Sequence, residues 1–197
     1  MNSSKKGLRL SFNAPTTLSF VALCAAAFLI DLLTGGAANR AVFSVYRAPL
    51  SDPLTWVRCV THVLGHASWD HLLGNMMYIL ILGPMIEEKY GTANTVFVML
   101  VTALVTGLVN ILLFPDTMLL GASGIVFSLI MMASITTIKE DGQIPVTFVL
   151  VAILYIGQQI YQGIFQQDNI SQLTHIVGGI VGSALAFVMQ KARRNSN

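Results

Sequence analysis

Six long apolar stretches constrain this chain more than any other feature of its sequence. Of its 197 residues, 54% are hydrophobic and only 10% are charged, whereas about a quarter of the residues in soluble domains are charged. A helix of about 20 apolar residues crosses a bilayer with its backbone hydrogen bonds satisfied internally. The pattern predicts an all-α membrane protein, a bundle of six transmembrane helices over Leu18–Leu33, Leu72–Ile86, Thr95–Phe114, Met118–Ile138, Ile144–Phe165 and Leu173–Met189.

The distribution of basic residues predicts how these helices are oriented. With six spans the two termini share one side of the membrane, and of the eleven lysines and arginines only Arg40, Arg47 and Arg58 fall on the other side. Basic residues favour the cytoplasmic side, so we expect both termini in the cytoplasm. The chain then divides into a cytoplasmic N-terminal segment (residues 1–17), one six-helix domain (18–190) and a basic cytoplasmic tail (191–197).

Composition and cysteine usage exclude several classes of function. A net charge of +2 is too small to indicate a nucleic-acid partner. Cys24 and Cys59 supply neither a disulfide framework nor a metal-ligand cluster. The basic start of the first apolar run resembles a signal peptide, but the run continues to Leu33, which favours a retained helix.

The longest connection, from Thr34 to Asp70, combines arginines with Trp56, Trp69 and apolar residues. Aromatic and basic side chains are typical of the membrane interface. We expect this loop to be partly helical and to lie in the interface plane.

Polar side chains that are unusual in a membrane fall at one depth in three predicted helices. At 1.5 Å per residue, Asn75, Ser123 and His175 lie about 6–9 Å inside the outer ends of helices two, four and six. His71 and Asn75 are four residues apart and share a helix face. They are either polar contacts between helices or donors to an oxyanion.

Ser123 opens the fourth apolar run between Gly121 and Gly124. A serine in a membrane helix usually bonds its own backbone or fills a tight helix contact. The two glycines favour another role, because they permit close approach of a neighbouring helix and of a substrate. In a first helical turn, free backbone N–H groups and the positive end of the helix dipole can hold an oxyanion.

His175 opens the sixth apolar run, and an ionisable group inside a membrane is a functional hypothesis by default. A neutral imidazole can accept a proton near pH 7. Gly178 and Gly182 form a face of small residues. If that face packs on Gly121 and Gly124, Ser123 and His175 come within hydrogen-bond reach. No acidic residue clearly reaches His175, so a Ser–His dyad is favoured over a triad.

Other intramembrane chemistries lack their residues. His62 and His66 have the i, i+4 spacing of metal ligands, but no glutamate stands between them as zinc hydrolysis requires. No pair of aspartates lies deep in two helices, so aspartyl proteolysis lacks its carboxylates. The sequence therefore indicates no metal site.

Three motifs together resemble those of the rhomboid intramembrane serine proteases. They are His71-x-x-x-Asn75 in helix two, Gly121-x-Ser123-Gly124 in helix four, and His175-x-x-Gly178-x-x-x-Gly182 in helix six. The resemblance extends from about Trp56 to Met189, with weaker matches at Arg58, Thr61, His62, His66, Glu87 and Phe127. Phe127 matches the aromatic residue that packs on the catalytic histidine, where some members carry tyrosine.

The resemblance implies a six-helix rhomboid-like bundle of the minimal bacterial type, in the inner membrane, with its active site open to the outer side. It implies Ser123 as nucleophile, His175 as general base, and the His71 and Asn75 side chains with the Ser123 N–H as oxyanion donors. Supporting positions are Gly121, Gly124, Phe127, Gly178 and Gly182.

The resemblance also implies the partners. Substrates would be single-span membrane proteins, cut within or beside their transmembrane helix and surrounded by membrane lipids, with no cofactor and no nucleic acid. They would enter past helix five, under an outer loop over Gln162–Gln172.

Two other functions stay open from the sequence. One is a catalytically silent rhomboid-like protein that binds transmembrane clients, although such proteins typically lose the serine or the histidine. The other is a small transporter with a polar site, against which the shared outer depth and the lack of an internal repeat argue. The oligomeric state is left open.

Overall fold

The computed structural model describes residues 12–114, 116–136 and 169–196, together with 143, 146, 149, 150, 153, 154, 157 and 161. These parts of the chain are mostly helical and contain no strand beyond an isolated bridge between Val45 and Leu119. The helices are α1 (Pro15–Leu33), α2 (Ala37–Ala41), α3 (Pro53–Thr61), a 3-10 turn (His62–Leu64), α4 (Trp69–Tyr90), α5 (Thr92–Leu113), α6 (Ser123–Ile135) and α7 (Asn169–Ser196). The prediction of a helical protein is confirmed for these ranges.

Three described helices are long and apolar enough to cross a membrane, namely α1, α5 and residues Leu173–Arg193 of α7. They coincide with the first, third and sixth predicted spans. The second predicted span lies in α4, whose 22 residues extend about 33 Å at 1.5 Å per residue. This helix is less apolar because polar residues occur near both its ends. His71 and Asn75 lie near its start, and Glu87 and Glu88 lie near its end.

Local signals fix where α4 begins and ends. The Ser68 hydroxyl accepts a hydrogen bond from the His71 backbone N–H at 3.2 Å, which caps the helix and sets His71 in its first turn. Gly91, with φ of +84°, ends α4 and leads directly into α5. The sequence thus fixes both the register of His71 and the reversal that returns the chain through the bundle.

The buried Glu87 carboxylate joins the ends of three helices. It accepts hydrogen bonds from the Thr16 and Thr17 backbone N–H groups at 2.8 and 3.0 Å, and from the Thr17 and Thr92 hydroxyls at 3.0 Å each. Thr16 and Thr17 lie in the first turn of α1, where backbone donors lack helical partners. Glu87 therefore caps α1 from α4 and holds α5 beside both.

The fourth apolar run is not helical from its start, so the prediction of a helix beginning at Met118 is wrong. Leu119 exchanges two backbone hydrogen bonds of 2.9 Å with Val45, and Gly121, with φ of +127°, donates its N–H to the His62 carbonyl at 2.9 Å. These partners draw the segment away from helical geometry, and α6 begins only at Ser123. Irregular backbone is tolerated at membrane depth when protein covers it and satisfies it, and both Leu119 and Ala122 are buried.

The long connection after α1 is partly helical, as predicted, and packs against one end of the core. Arg58 donates its Nε–H to the Ala41 carbonyl at 2.9 Å and lies 4.6 Å from the Tyr46 ring centre. Trp56 and Trp69 are exposed, which suits the interface. The core beneath is built by buried side chains of α1, α4, α5 and α6, including Cys24, Phe28, Ile79, Val98, Ile125, Leu129 and Met132.

Some predictions fall largely outside the described residues. They are the N-terminal segment up to residue 11, most of the fifth span, and the outer loop between 162 and 168. The described positions of the fifth run are helical, and six of them carry exposed apolar or aromatic side chains: Val146, Val149, Leu150, Ile153, Leu154 and Tyr161. The predicted loop end at Gln172 is wrong, because α7 already begins at Asn169.

Candidate active site

Ser123 is the first residue of α6. The N-cap residue, Ala122, makes no side-chain hydrogen bond to the helix. The first helical hydrogen bond runs from the Val126 N–H to the Ala122 carbonyl at 3.0 Å. The backbone N–H groups of Ser123, Gly124 and Ile125 precede that bond, as the first donors of any helix do. The positive end of the α6 dipole thus lies at the half-buried Ser123 hydroxyl.

Two side chains of α4 lie over the backbone that leads to Ser123. A Cβ atom placed on Gly121 would lie 2.7 Å from both Cε1 and Nε2 of His71, and 3.9 Å from Nδ2 of Asn75. Only a glycine leaves this space, and its φ of +127° is a conformation that other residues rarely adopt. The structure therefore brings His71 and Asn75 together against the residue two positions before Ser123.

Asn75 is buried and is held by a residue of the preceding loop. Its Nδ2 lies 3.1 Å from Nε2 of His66, while Nδ1 of His66 lies 3.1 Å from the Leu64 carbonyl oxygen. The His66 and His71 rings meet edge to face, with their centres 5.0 Å apart. Burial, with a smaller contribution from the charge of His71, lowers the pKa of His66 to about 4. His66 is therefore neutral near pH 7.

His175 lies on α7 with its ring against Phe127. The two ring centres are 4.4 Å apart and the ring planes are inclined by 43°. Phe127 follows Ser123 by four residues, so the two side chains share one face of α6. The imidazole of His175, half-buried, is thus positioned beside the α6 face that carries Ser123.

Glycines hold α7 directly against the backbone of α6. A Cβ atom on Gly178 would collide with the carbonyl oxygen of Gly124, and one on Gly182 would lie 2.6 Å from both Cα and Oγ of Ser128. The contact of Gly178 with Gly124 meets part of the condition that the sequence set for bringing Ser123 and His175 together. Gly121 does not join it, because it faces His71, and Gly182 packs on Ser128, a contact that the sequence pattern did not predict.

His62 connects the loop before α4 to the backbone that leads to Ser123, because its carbonyl oxygen accepts a hydrogen bond from the Gly121 N–H at 2.9 Å. It is buried, with Nδ1 3.2 Å from the Arg58 carbonyl and Nε2 3.3 Å from the Thr106 hydroxyl, and burial lowers its pKa to about 4. His62 and His66 thus have separate partners despite their metal-like spacing. Among the described residues, no group of three histidines, cysteines or carboxylates is placed to hold a metal ion.

From the sequence, His66 was predicted only as a weak motif match. The available signal was its chemistry, because a second histidine in so apolar a chain must find a buried hydrogen-bond partner. Its contact with Asn75 joins residues nine positions apart across the start of α4, which no helical periodicity reports.

Comparison with known proteins adds to this geometry. Residues 53–192 match the Rhomboid family, described as a Rhomboid domain. The chain is 27% identical over 150 residues to Rhomboid-like protein 11, chloroplastic, of Arabidopsis thaliana, which covers 69% of this chain and 53% of that protein. It is 30% identical over 180 residues to Rhomboid protease GlpG of Yersinia pseudotuberculosis serotype I (strain IP32953) and of Yersinia pestis (strain Pestoides F), covering 88% of this chain and 62% of each relative. The chain thus spans between about half and two thirds of the length of these relatives.

Proposed function

The chain belongs to the rhomboid family, and on that premise we propose that it is an intramembrane serine endopeptidase in which Ser123 is the nucleophile and His175 the general base. The observation that carries this proposal is the packing of the His175 ring on Phe127, four residues after Ser123 on the same face of α6. The chain keeps both the serine and the histidine, which favours a protease over a silent protein that binds transmembrane clients.

In the proposed reaction these groups act one after another. His175 takes the hydroxyl proton of Ser123 as its Oγ attacks the scissile carbonyl carbon. The oxyanion that forms would be held by the Ser123 backbone N–H, helped by the α6 dipole, and by donors from His71 and Asn75. The C–N bond then breaks, and the amine leaves with the proton from His175. Water, deprotonated by His175, hydrolyses the acyl group on Ser123.

Each oxyanion donor contributes separately to the rate. Loss of one such donor typically lowers kcat by about 10²–10³. The enzyme as proposed needs no cofactor, because a serine, an imidazole and fixed N–H donors supply the whole acyl-transfer chemistry.

The apolar helices and the family together indicate an integral membrane protein. Our proposal extends this to a six-helix bundle over residues 18–190, with residues 1–17 and the tail 191–197 in the cytoplasm of a bacterium. It is supported by the length of α4 and by the start of α6 within the protein, covered by the loop over residues 34–68. The active site would then open toward the outer side of the inner membrane.

Substrates in this proposal are membrane proteins with a single transmembrane helix, cut within or beside that helix. A helix closes its own backbone hydrogen bonds and packs side chains around them, so the scissile bond becomes accessible only after local unwinding. The fifth predicted helix and the outer loop that precedes α7 would form the entry route.

The direct test uses the purified chain in liposomes with a model single-span substrate. We expect cleavage by the wild-type chain and none by Ser123→Ala or His175→Ala. Ser134→Ala is a matched control, because Ser134 lies on the same helix and bonds the Ile130 carbonyl of its own backbone at 2.9 Å. Unchanged cleavage by Ser123→Ala would refute the mechanism.

A serine-reactive fluorophosphonate distinguishes a protease from a silent client-binding protein. Ser123 should become labelled in the wild-type chain and in Ser134→Ala, and labelling should be lost in His175→Ala. Absence of labelling and of cleavage in the wild-type chain would favour the silent protein.

A further inference from the structure

A chain of two hydrogen bonds runs from the loop before α4 to the candidate oxyanion site. The Leu64 carbonyl oxygen lies 3.1 Å from Nδ1 of His66, and Nε2 of His66 lies 3.1 Å from Nδ2 of Asn75. The His66 side chain is fully buried. Both ring nitrogens therefore have protein partners at hydrogen-bond distance.

The chemistry of the first partner fixes the tautomer of the ring. A carbonyl oxygen can only accept, so the hydrogen must be on Nδ1, which donates to Leu64. A neutral imidazole with its hydrogen on Nδ1 has a lone pair on Nε2. That lone pair needs a donor, and of the two ends of the Asn75 amide only the NH₂ group can supply one. The orientation of the amide thus follows from Leu64 through His66.

We propose that His66 is a positioning residue that makes Asn75 an oxyanion donor by fixing which end of its amide points toward Gly121; this inference rests on the proposed protease function. One N–H of Asn75 bonds His66, and the same Nδ2 lies 3.9 Å from a Cβ position on Gly121. The second N–H is thereby available to the carbonyl oxygen of a bound substrate.

The opposite orientation of the amide would hinder catalysis. It would set the Oδ1 atom of Asn75 against the lone pair on His66 Nε2, which leaves two acceptors facing one another in a buried place. It would also direct an acceptor toward the negative charge that develops on the substrate. The hydrogen bond to His66 excludes this arrangement before substrate binds, as preorganised oxyanion sites require.

His66 is itself fixed by a polar contact from α2, whose Asn39 is held in turn by Asp31 near the end of α1. The Asn39 side chain donates to the His66 carbonyl at 3.1 Å, and Asp31 accepts from Asn39 twice, at 2.7 Å each. The adjacent Gly65 packs tightly on the Phe43 carbonyl, since a Cβ atom on Gly65 would collide with that oxygen. The loop thus holds the ring at one position over α4.

The kinetic test compares two amide substitutions at residue 66. His66→Asn keeps a donor near the Nδ1 position for Leu64 but is too short to reach Asn75, whereas His66→Gln reaches Asn75 with its Oε1 acceptor. We expect His66→Asn to lower kcat about 10–10²-fold with KM unchanged, because the contact acts on the transition state. His66→Gln should restore most of kcat.

A double-mutant cycle shows whether His66 acts through Asn75. In a chain that carries Asn75→Ala, His66→Asn should lower kcat by less than about twofold, since the group it positions is gone. Equal losses in both backgrounds would overturn the proposal and leave His66 with a structural role. The thermal unfolding midpoint of each variant, measured in detergent, separates loss of fold from loss of positioning.

A spectroscopic measurement on the unmodified chain stands even if a variant does not fold. The chain has only four histidines, so ¹⁵N-histidine NMR in detergent can assign each ring. We expect the hydrogen of neutral His66 on Nδ1, and a hydrogen on Nε2 would overturn the proposal.

The failure of this proposal can be told apart from the failure of the proposed function. If the wild-type chain cleaves and Ser123→Ala does not, an unaltered kcat in His66→Asn refutes the role of His66 alone. Absence of Ser123-dependent cleavage refutes both proposals.

Discussion

The backbone N–H of Gly121 donates a hydrogen bond of 2.9 Å to the carbonyl of His62, so the loop over residues 34–68 holds the segment that leads into the candidate nucleophile. Two residues earlier, Leu119 pairs with Val45 of the same loop. The start of α6 is therefore set by contacts with the loop and not by a continuous membrane helix. In the first turn of α6, whose N–H groups have no partner within the helix, Gly124 and Ile125 are buried, and charges act over a low dielectric in such surroundings.

Gly121→Ala should abolish most activity. The new methyl group would meet the His71 ring at 2.7 Å, and the φ of +127° would be strained, at a cost of about 1–3 kcal/mol. Because the substitution displaces a proposed oxyanion donor, we expect kcat to fall about 10²-fold or more. Gly35→Ala is the control, since Gly35 also has a positive φ but nothing lies within 4 Å of its Cβ position. Equal activity in the two variants would contradict the assignment of His71.

Gly178→Ala should separate α7 from α6. The added Cβ would collide with the backbone of Gly124, and overpacking of this kind typically costs about 1–3 kcal/mol. We expect a lower unfolding midpoint in detergent together with slower cleavage, because His175 lies one turn before Gly178. Gly74→Ala is the matched helical control, with nothing within 4 Å of its Cβ position, and it should keep both stability and cleavage.

The sequence predicted helices best where hydropathy alone decides the structure. The runs that became α1, α5 and α7 needed only length and apolar composition. The run after Met118 was equally apolar, yet its first residues are not helical. Hydropathy does not report the pairing of Leu119 with Val45 or the positive φ of Gly121, since both depend on a loop more than 50 residues earlier in the chain.

The part of the site that was predictable from the sequence is the part that helical periodicity determines, namely which residues share a helix face. The four-residue spacing of His71 and Asn75 gave a shared face, and the small face of α7 predicted close packing of Gly178. Periodicity does not give the register between two helices, so the contact of Gly182 with Ser128 was not foreseen. It also gives no information on loop residues, which is why the hydrogen bond from Asn75 to His66 required the tertiary structure.

Glu87→Ala should destabilise the fold without touching the candidate site. The substitution removes the acceptor of four hydrogen bonds and leaves the N–H groups of Thr16 and Thr17 unsatisfied, at about 1–3 kcal/mol for each buried donor. We expect a clearly lower unfolding midpoint in detergent, with cleavage by the remaining folded protein retained at low temperature. Glu88→Ala is the control because Glu88 is adjacent and exposed. Similar unfolding midpoints in the two variants would argue against this role of Glu87.

Phe127→Ala should lower kcat by removing the ring against which His175 packs. An aromatic contact of this geometry contributes about 0.5–1.5 kcal/mol beyond its buried area, which corresponds to a rate change of about two- to tenfold. Phe127→Tyr keeps the ring and should retain most of kcat. Phe187→Ala, which removes an exposed aromatic side chain from α7, should have little effect. Wild-type kcat in Phe127→Ala would mean that His175 is positioned by other contacts.

Acid should destabilise the fold through His62 and His66. Burial lowers the pKa of each from 6.5 to about 4, so in this interval the unfolded chain binds protons that the folded chain does not. Stability is complete above pH 6.5 and falls as the pH drops toward 4, by about 1.4 kcal/mol per pH unit for each histidine. Unfolding midpoints measured in detergent between pH 7 and 5, above the ordinary pKa values of carboxyl groups, isolate this effect. The double variant His62→Gln, His66→Gln should show a much shallower dependence, and an unchanged slope would assign the acid sensitivity to other groups.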